Sequence, residues 1–421
     1  MSQKKLSRRR FVQVCGVAAA ASVSGWSNIS AATKAKVVII GGGAAGTIAA
    51  KYLAKLNPGL DISLVEKNKS YHAAFMSNQI LSGTWTNDKF NFNYHKLESH
   101  GIKIINEEVN DLDLKSNSLM TKSGKKIPFD KLILAAGAEA DITSIDGLTS
   151  DLVTSNAWTD ARDVSKLFEK IRAIKSGGKV LLSIPAGEVN GSMAMYGRVS
   201  QIARYFSLQN KKAKILIADA KPQDATQQLF AHAWEEMYPG MIEIQNKLIA
   251  SKLEGENTII ANGNKLSADL VNVIPTQKAN KLAKLLGLND ESGWCPVKAE
   301  SFESTKIKNV HVIGDAVKGF KGFRKNTQIA NSQAKSVAII IDSLLSSNKL
   351  PQALPPLIDS EYSIVGDQYA ISSTKLFRLK NNTWNIVTDE LSAKDAAKKQ
   401  RQREYVYAES WFNNITNEMF S

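Results

Sequence analysis

A glycine-rich segment near the start of the chain has the spacing of a phosphate-binding turn. Its sequence, GGGAAG, comes directly after the apolar run Val37–Ile40, which is typical of a buried parallel strand. In such a turn Gly41 permits a tight change of direction, Gly43 lets the backbone approach a pyrophosphate, and Gly46 allows close packing of the next helix. The segment therefore predicts a turn that binds a diphosphate at a helix N-terminus.

An acidic residue follows the next predicted strand at the distance that a dinucleotide fold requires. The strand Asp61–Val65 ends at Glu66, twenty residues beyond Gly46. A carboxylate there suits the two hydroxyls of a ribose and disfavours a 2′-phosphate. The glycine pattern alone is a weak signal, but strand, turn, helix, strand and acid in register are a strong one. A glycine-rich turn without a ligand is the alternative.

Two later segments indicate which dinucleotide is bound. Lys131–Gly137 and Asn309–Ala316 each read as a strand that runs into small residues, and the second contains Gly314-Asp315. The pair resembles the second and third FAD fingerprints of the glutathione-reductase-like flavoproteins. That resemblance implies that Asp315 binds the ribityl chain, although an ordinary turn after a strand remains the alternative. The predicted FAD-binding residues are Gly41, Gly43, Ala45, Gly46, Glu66, Lys67, Asn78, Val109, Ala136, Gly137, Gly314, Asp315 and Asn331.

A second nucleotide-fold-like unit begins near residue 179. Its predicted elements are the strand Val180–Ile184, the helix Val199–Phe206 and the strand Lys214–Asp219. The connection Pro185–Gly191 has no GxGxxG pattern, so the backbone cannot easily close on a pyrophosphate. We expect the shape of a nicotinamide domain without a nicotinamide.

These elements predict an α/β fold with two Rossmann-like dinucleotide-binding domains of the glutathione-reductase-like type and a small C-terminal α+β domain. Beyond a proline-containing linker, strand-like stretches occupy Tyr369–Leu379 and Trp384–Val387, and a basic helix covers about residues 393–408. The predicted boundaries are 1–32 for a signal peptide, 35–150 and 266–345 for the two parts of the FAD domain, 151–265 for the second unit and 346–421 for the C-terminal domain.

The first thirty residues have the layout of an export signal. Five positive charges in residues 1–10 precede an uncharged stretch, Phe11–Thr33, that ends in small residues. The segment Ser7–Gln13 (SRRRFVQ) resembles a bacterial twin-arginine signal, so we expect a periplasmic protein without a membrane span in its mature form. An uncleaved basic anchor is the alternative.

Composition excludes several other classes of protein. The 421 residues contain two cysteines, Cys15 and Cys295, too few for a disulfide scaffold or a four-ligand zinc site. The five histidines form no HxxxH or HExxH pair, so no metal centre is expected. The net charge of +14 is spread along the chain and interleaved with acids, which disfavours a nucleic-acid partner.

Several segments resemble the flavoprotein subunit of flavocytochrome c sulfide dehydrogenase. They lie between about Lys36 and Ser421 and comprise Gly293–Val297, Ser301–Thr305, Asn331–Lys335, Ser410–Ile415 and Met419–Phe420. The resemblance implies a periplasmic FAD enzyme that oxidises sulfide or a small reduced sulfur compound and passes electrons to a cytochrome c. It also implies a flavin that lies over two redox-active cysteines, one of which matches Cys295. The catalytic candidates are Cys295, with Trp411 and Tyr196 beside the flavin.

The chain differs from that family at three positions of the implied active site. Gly191 stands in place of the second redox-active cysteine, and Gly197 in place of a glutamate that is a candidate proton acceptor. Ala74 stands where the family has the cysteine that attaches the flavin covalently. We therefore expect non-covalent FAD and a single thiol, Cys295, in the exported chain.

These differences leave alternatives open. Cys295 is either a lone sulfur-handling thiol with the flavin as its electron sink or an inert buried cysteine. The chain is a sulfide-oxidising enzyme, a flavin-binding subunit that has lost sulfide turnover, a one-thiol flavoenzyme for another substrate, or a quinone-linked enzyme, which the C-terminal sequence does not favour. Four basic residues precede a helix-like segment, residues 327–344, and either stabilise a reduced flavin or form a solvated loop: Lys318, Lys321, Arg324 and Lys325.

Overall fold

The described part of the chain folds into two parallel sheets, five antiparallel sheets and the helices around them. The computed structural model describes residues 34–152, 157–187 and 189–421. The predicted signal peptide, residues 1–32 with Cys15, lies outside the described residues. The strands are β1 (Lys36–Ile40), β2 (Asp61–Val65), β3 (Ser70–His72), β4 (Asn91–Asn93), β5 (Lys103–Ile105), β6 (Val109–Asp113), β7 (Ser118–Thr121), β8 (Lys126–Pro128), β9 (Lys131–Leu134), β10 (Ala138–Ala140), β11 (Lys179–Ile184), β12 (Lys214–Asp219), β13 (Ile242–Asn246), β14 (Ala250–Glu254), β15 (Thr258–Ala261), β16 (Asn264–Ser267), β17 (Leu270–Val273), β18 (Gln277–Ala279), β19 (Val310–Val312), β20 (Leu357–Gly366), β21 (Tyr369–Lys380) and β22 (Thr383–Leu391). The α-helices are α1 (Ala44–Leu56), α2 (His95–Glu98), α3 (Ala161–Ala173), α4 (Ala194–Leu208), α5 (Ala225–Met237), α6 (Lys281–Leu285), α7 (Thr327–Ser347) and α8 (Lys398–Phe420).

The first parallel sheet brings the three predicted dinucleotide segments together. Its strand order is β19-β9-β1-β2-β5, and every pair is parallel. Ile40 at the end of β1 pairs with Leu134 of β9, which in turn pairs with Val312 of β19. Because the carboxyl ends of these strands are in register, the turns that follow them meet at one edge of the sheet.

The second parallel sheet has the order β13-β12-β11-β17 and is formed by the predicted nucleotide-fold-like unit. The predicted strands Val180–Ile184 and Lys214–Asp219 are confirmed by β11 and β12. The predicted helix over Val199–Phe206 begins five residues earlier, at Ala194, and forms α4.

The C-terminal domain is an antiparallel sheet, β20-β21-β22, followed by the long helix α8. The predicted bounds of this helix, about 393–408, are wrong, because α8 runs from Lys398 through the aromatic segment to Phe420. Apolar residues at helical spacing explain the extension, since Phe412, Ile415 and Met419 are all buried. The basic part of this helix also contains a buried ion pair between Arg401 and Glu404.

Helix α8 contributes to two hydrophobic cores. Phe412 packs into the core beneath the second sheet, whereas Ile415, Met419 and Phe420 pack against α1, α7 and the first sheet. The Lys51 ammonium of α1 donates to the main-chain carbonyls of Glu418 and Ser421. The C-terminal domain is therefore packed onto both sheet domains. No helix in the described ranges is both long and apolar enough to cross a membrane.

Candidate flavin site and active site

A deep cleft of about 1040 Å³ opens at the carboxyl edge of the first sheet. Its walls come from the turns after β1, β2, β9 and β19, from the loop before α4, and from the C-terminal domain through Ser360–Tyr362 and Trp411. A crevice outside the carboxyl ends of parallel strands is where α/β sheets bind their ligands.

Two glycines of the turn, Gly41 and Gly46, have no room for a side chain. Gly41 has φ +106°, and a Cβ atom there would overlap the carbonyl oxygen of Ala135. A Cβ atom at Gly46 would overlap the carbonyl oxygen of Gly41 itself. Gly46 does not line the cleft. Its missing side chain lets α1 pack directly behind the turn.

Glu66 braces this turn and borders the cleft. Its Oε2 accepts the N–H of Gly42 at 2.8 Å, and its Oε1 accepts the N–H of Asn68 at 2.8 Å. The carboxylate is thus held at the position predicted for binding a ribose.

Asp315 is buried in the wall of the cleft and is incompletely satisfied. The amide of Asn190 donates to its Oδ2, whereas its Oδ1 has no hydrogen-bond partner among the described residues. Burial raises the pKa of this carboxyl group, an effect that Lys325 partly opposes. A buried acceptor without a partner costs free energy that a ligand hydroxyl can recover. The residues present therefore fit a dinucleotide with a polyol chain, as FAD has.

Most of the predicted FAD-binding residues border the same cleft. Those that line it are Gly41, Gly43, Ala45, Glu66, Lys67, Asn78, Val109, Ala136, Gly137, Gly314 and Asp315. Asn331 does not line it: its amide donates to Glu418 of α8 at 2.8 Å, while the neighbouring Ala330 reaches the cleft.

Of the three catalytic candidates, only Trp411 lines the cleft. Its indole N–H donates to Gln328 at 2.8 Å, and its ring meets Phe75 edge-on at 5.7 Å between centroids. Tyr196 lies deeper, where its hydroxyl donates to Asp219 at 2.7 Å, and burial raises its pKa. A Cβ atom at Gly197 would overlap Ser363 Oγ, so a larger residue at this turn of α4 would require the Ser363 side chain to rotate away.

Cys295 is fully buried and does not line the cleft. Its N–H donates to the carbonyl of Ala316 at 3.0 Å, and its carbonyl accepts from Lys318 at 2.7 Å, which fixes its backbone beside the Gly-Asp turn. Burial raises the pKa of the thiol to about 12, despite the opposing charge of Lys325. In this conformation Cys295 is a protonated thiol, which is a poor nucleophile.

The two other positions of the family's cysteines face the cleft. Gly191 and Ala74 both line it, and neither carries a side chain that can bond covalently to a flavin or a sulfur atom. Ala74 accordingly agrees with the prediction of non-covalent binding, which itself stays a prediction.

The four basic residues before α7 do not line the cleft. Lys318 pairs with Asp290, and Arg324 pairs with Asp359. Lys325 donates to the carbonyl of Val317, and its ammonium lies 3.6 Å from the centroid of the Trp294 ring. Lys321 is exposed.

Two buried charged residues of the cleft were not singled out from the sequence. Arg198 of α4 is buried, lies 4.6 Å from the centroid of the Trp158 ring, and donates to Asn78 at 3.0 Å; burial lowers its pKa to about 9. Glu361 of β20 is also buried and lines the cleft. Polar residues at alternate positions of this strand (Asp359, Glu361 and Ser363) are the sequence pattern from which a polar face of β20 could have been predicted.

In the described part of the chain no cluster of histidine, cysteine, aspartate or glutamate is arranged to hold a metal ion.

Comparison with known proteins identifies two regions. Residues 165–275 match the central domain of the sulfide dehydrogenase (flavocytochrome c) flavoprotein chain, and residues 359–420 match the flavin-binding domain of flavocytochrome c sulphide dehydrogenase. The resemblance predicted from the sequence is confirmed. The match at residues 359–420 also supports the predicted flavin cofactor.

Curated relatives are more distant. An NAD(P)H coenzyme A polysulfide/persulfide reductase of Pyrococcus horikoshii is 26% identical over 296 residues, which is 67% of this chain and 62% of that protein. A mitochondrial sulfide:quinone oxidoreductase of Dictyostelium discoideum is 24% identical over 307 residues, which is 66% of this chain and 65% of that protein. The chain thus spans less than two thirds of the length of either relative.

A solved structure confirms the fold. The sulfide:quinone oxidoreductase of Aquifex aeolicus superimposes with a TM-score of 0.70 at 17% identity, covering 91% of this chain and 92% of that one. The predicted α/β class, with two dinucleotide-binding domains and a C-terminal domain, is confirmed.

Proposed function

We propose that this protein is an FAD-dependent oxidoreductase that oxidises sulfide or a small reduced sulfur compound and passes the electrons to a cytochrome c in the periplasm. The observation that carries the proposal is the dinucleotide cleft, which lies in the same chain as two regions of the sulfide dehydrogenase flavoprotein. The names of the curated relatives, which act on sulfide or on polysulfide and persulfide, support the same substrate class.

The chain offers contacts for three parts of the cofactor: the diphosphate, the adenosine ribose and the ribityl chain. The N–H groups at the start of α1 would hold the diphosphate, Glu66 the adenosine ribose, and Asp315 Oδ1 a hydroxyl of the ribityl chain. When bound, the flavin supplies a two-electron acceptor for the sulfur donor. Trp411 would cover the cleft from the C-terminal domain and exclude water from one side.

Anaerobic titration of the purified holoprotein with sulfide tests the activity. We expect the visible absorbance of the flavin to bleach and to return when a c-type cytochrome is added, with cytochrome reduction measured in parallel. Bleaching without transfer to the cytochrome would remove the proposed acceptor and leave the sulfur chemistry intact. No bleaching with sulfide, polysulfide or small thiols would remove the activity.

A flavin-binding subunit without sulfide turnover is the second candidate. It is favoured by the burial of the Cys295 thiol and by the presence of Gly191 and Ala74 where the family has cysteines. Such a protein would retain FAD and be reduced by dithionite, yet remain oxidised with every sulfur donor.

The mode of cofactor binding has its own test. Because Ala74 provides no attachment point, acid precipitation should leave yellow supernatant that contains FAD. Colour in the washed pellet would contradict non-covalent binding.

The compartment is tested by substitution in the N-terminal segment. Replacing Arg8 and Arg9 together with lysine should hold the protein in the cytoplasm, whereas Arg10→Lys, which leaves the arginine pair intact, should not. Unchanged periplasmic yield of the double variant would contradict the twin-arginine route.

A further inference from the structure

Two buried acids on strand β20 share one arginine. Arg324 binds Asp359 with both arms of its guanidinium, through Nε to Oδ2 at 2.9 Å and through Nη2 to Oδ1 at 3.0 Å. The same guanidinium reaches Glu361 only at 3.4 Å, through Nη1. Asp359 is 0% and Glu361 is 7% exposed. The bidentate geometry gives both short hydrogen bonds of the arginine to Asp359 and leaves Glu361 with a longer ion pair.

Only one of the two acids reaches the cleft. Glu361 lines it, whereas Asp359 does not. Besides its contact with Arg324, the Glu361 carboxylate accepts two hydrogen bonds from Ser192, one from its N–H at 3.1 Å and one from its hydroxyl at 2.9 Å. Ser192 directly follows Gly191, the cleft residue that replaces the family's second cysteine. A buried carboxyl group is therefore hydrogen-bonded to the residue that follows the position of the missing cysteine.

The surroundings of Glu361 raise the pKa of its carboxyl group above the usual range of a glutamate. Burial raises the pKa of this carboxyl group, and the negative charge of Asp359 raises it further, while Arg324 and the hydrogen bonds from Ser192 and Met193 oppose the rise. Asn326, which packs on the same acid pair, is neutral and contributes a long contact at 3.4 Å. A carboxyl group that borders a cleft and has a raised pKa is suited to accept a proton from a bound ligand.

We propose that Glu361 accepts the proton of the sulfur donor in this cleft. The S–H bond of sulfide or a small thiol breaks, the electron pair stays on the sulfur, and the carboxylate becomes a carboxylic acid, which later returns the proton to solvent. The inference rests on the proposed function. It gives a residue of β20 the role of proton acceptor. In α4, Gly197 stands in place of the family's glutamate and has no side chain that could accept a proton.

Flavin reduction by sulfide, measured by anaerobic stopped flow across a pH series, tests this role. The parent rate should fall as pH falls through the pKa of Glu361, because the protonated acid cannot accept a proton. Glu361→Gln should slow reduction by about 100-fold and abolish the acidic limb, which is the fall of the rate at low pH. Glu361→Asp should restore part of the rate and part of the acidic limb. The limb should stay at the same pH with a second donor of different thiol pKa.

Asp359→Asn is the matched control, since it changes the other acid on the same strand outside the cleft. Removing its charge frees Arg324 for Glu361, so the limb should move to lower pH while the rate on its plateau stays near that of the parent. A limb that does not move would contradict the shared-arginine arrangement and overturn the inference.

A measurement that does not depend on turnover completes the test. Infrared difference spectra of the holoprotein, titrated without a donor, should show a carbonyl band of a protonated carboxylic acid that Glu361→Gln removes and Asp359→Asn shifts in pH. A Glu361→Gln variant that is reduced at the parent rate, or an unchanged band, overturns the inference while the proposed function stands. A parent that no sulfur donor reduces overturns the proposed function and the inference with it.

Discussion

The two parallel-sheet domains share a topology and differ in their turns. After β1 the chain makes a glycine turn whose partner acid, Glu66, borders the cleft and holds a main-chain N–H. After β11 the chain has no such turn, and the acid at the end of its neighbour β12, Asp219, is fully buried. Strand order alone therefore does not make a nucleotide site.

The hydrogen bonds of Asp219 show why the second domain differs from the first. Asp219 Oδ2 accepts from the Tyr196 hydroxyl at 2.7 Å and from Gln227 at 2.9 Å, and Oδ1 accepts the N–H of Lys221 at 2.9 Å. Protein groups thus occupy the oxygens that a ribose would need. The second domain uses the loop before α4 to wall the cleft of the first.

The largest expected effect comes from the glycine that packs behind the first turn. Gly46→Ala should lower the free energy of unfolding by about 3 kcal/mol or more, because its Cβ would overlap the carbonyl of Gly41. Denaturant unfolding of the apoprotein measures this. Gly43→Ala is the control: the nearest atom to its Cβ lies 3.7 Å away, so it should fold normally and lose only FAD affinity. Equal destabilisation of both variants would contradict this division of roles.

A buried histidine should make the first domain sensitive to acid. His311 of β19 is fully buried, and burial lowers its pKa to about 4 from 6.5. Since the unfolded chain binds this proton more readily, stability should fall as pH drops from about 6.5 to 4, by up to about 3 kcal/mol. Thermal unfolding across this range measures the effect. His311→Gln should flatten this part of the curve, whereas His232→Gln, an exposed position in the second domain, should leave it unchanged.

Asp315 of the first domain and Asp219 of the second should respond differently to replacement by asparagine. Asp315→Asn should weaken FAD binding about 10- to 100-fold, because an amide has one acceptor oxygen where the carboxyl group has two, and the amide of Asn190 already uses one. Asp219→Asn should leave FAD affinity unchanged and cost about 1–3 kcal/mol of stability instead. Fluorescence titration of the apoproteins with FAD separates them; equal affinities would remove the distinction between the domains.

The smallest effect is expected at Cys295. Because its thiol is buried and protonated, Cys295→Ser should change the rate of flavin reduction by no more than about threefold. Alkylation of the native protein should be far slower than that of the unfolded chain. A loss of reduction comparable to that of Glu361→Gln would return Cys295 to the catalytic role that the sequence suggested.

The sequence predicted the parts of the site that depend on local order. The turn at Gly41, the acid Glu66 and the strand before Asp315 each follow from residue types and spacing within one βα unit. The burial of Cys295 could not be predicted in this way, because it depends on how distant segments pack around it. Glu361 was missed for the same reason: alternation along β20 shows two faces, but only the packing of β20 on the loop before α4, 169 residues away, shows which face meets the cleft.

Helix α8 carries a consequence for biosynthesis. Side chains of this helix complete two hydrophobic cores. The helix lies near the end of the chain, far in sequence from strand β1. A nascent polypeptide whose ribosome has not yet reached α8 exposes apolar surface on two domains at once, and contacts so distant in sequence form slowly. Chains that are truncated before α8 should therefore expose apolar surface that chaperones and proteases recognise.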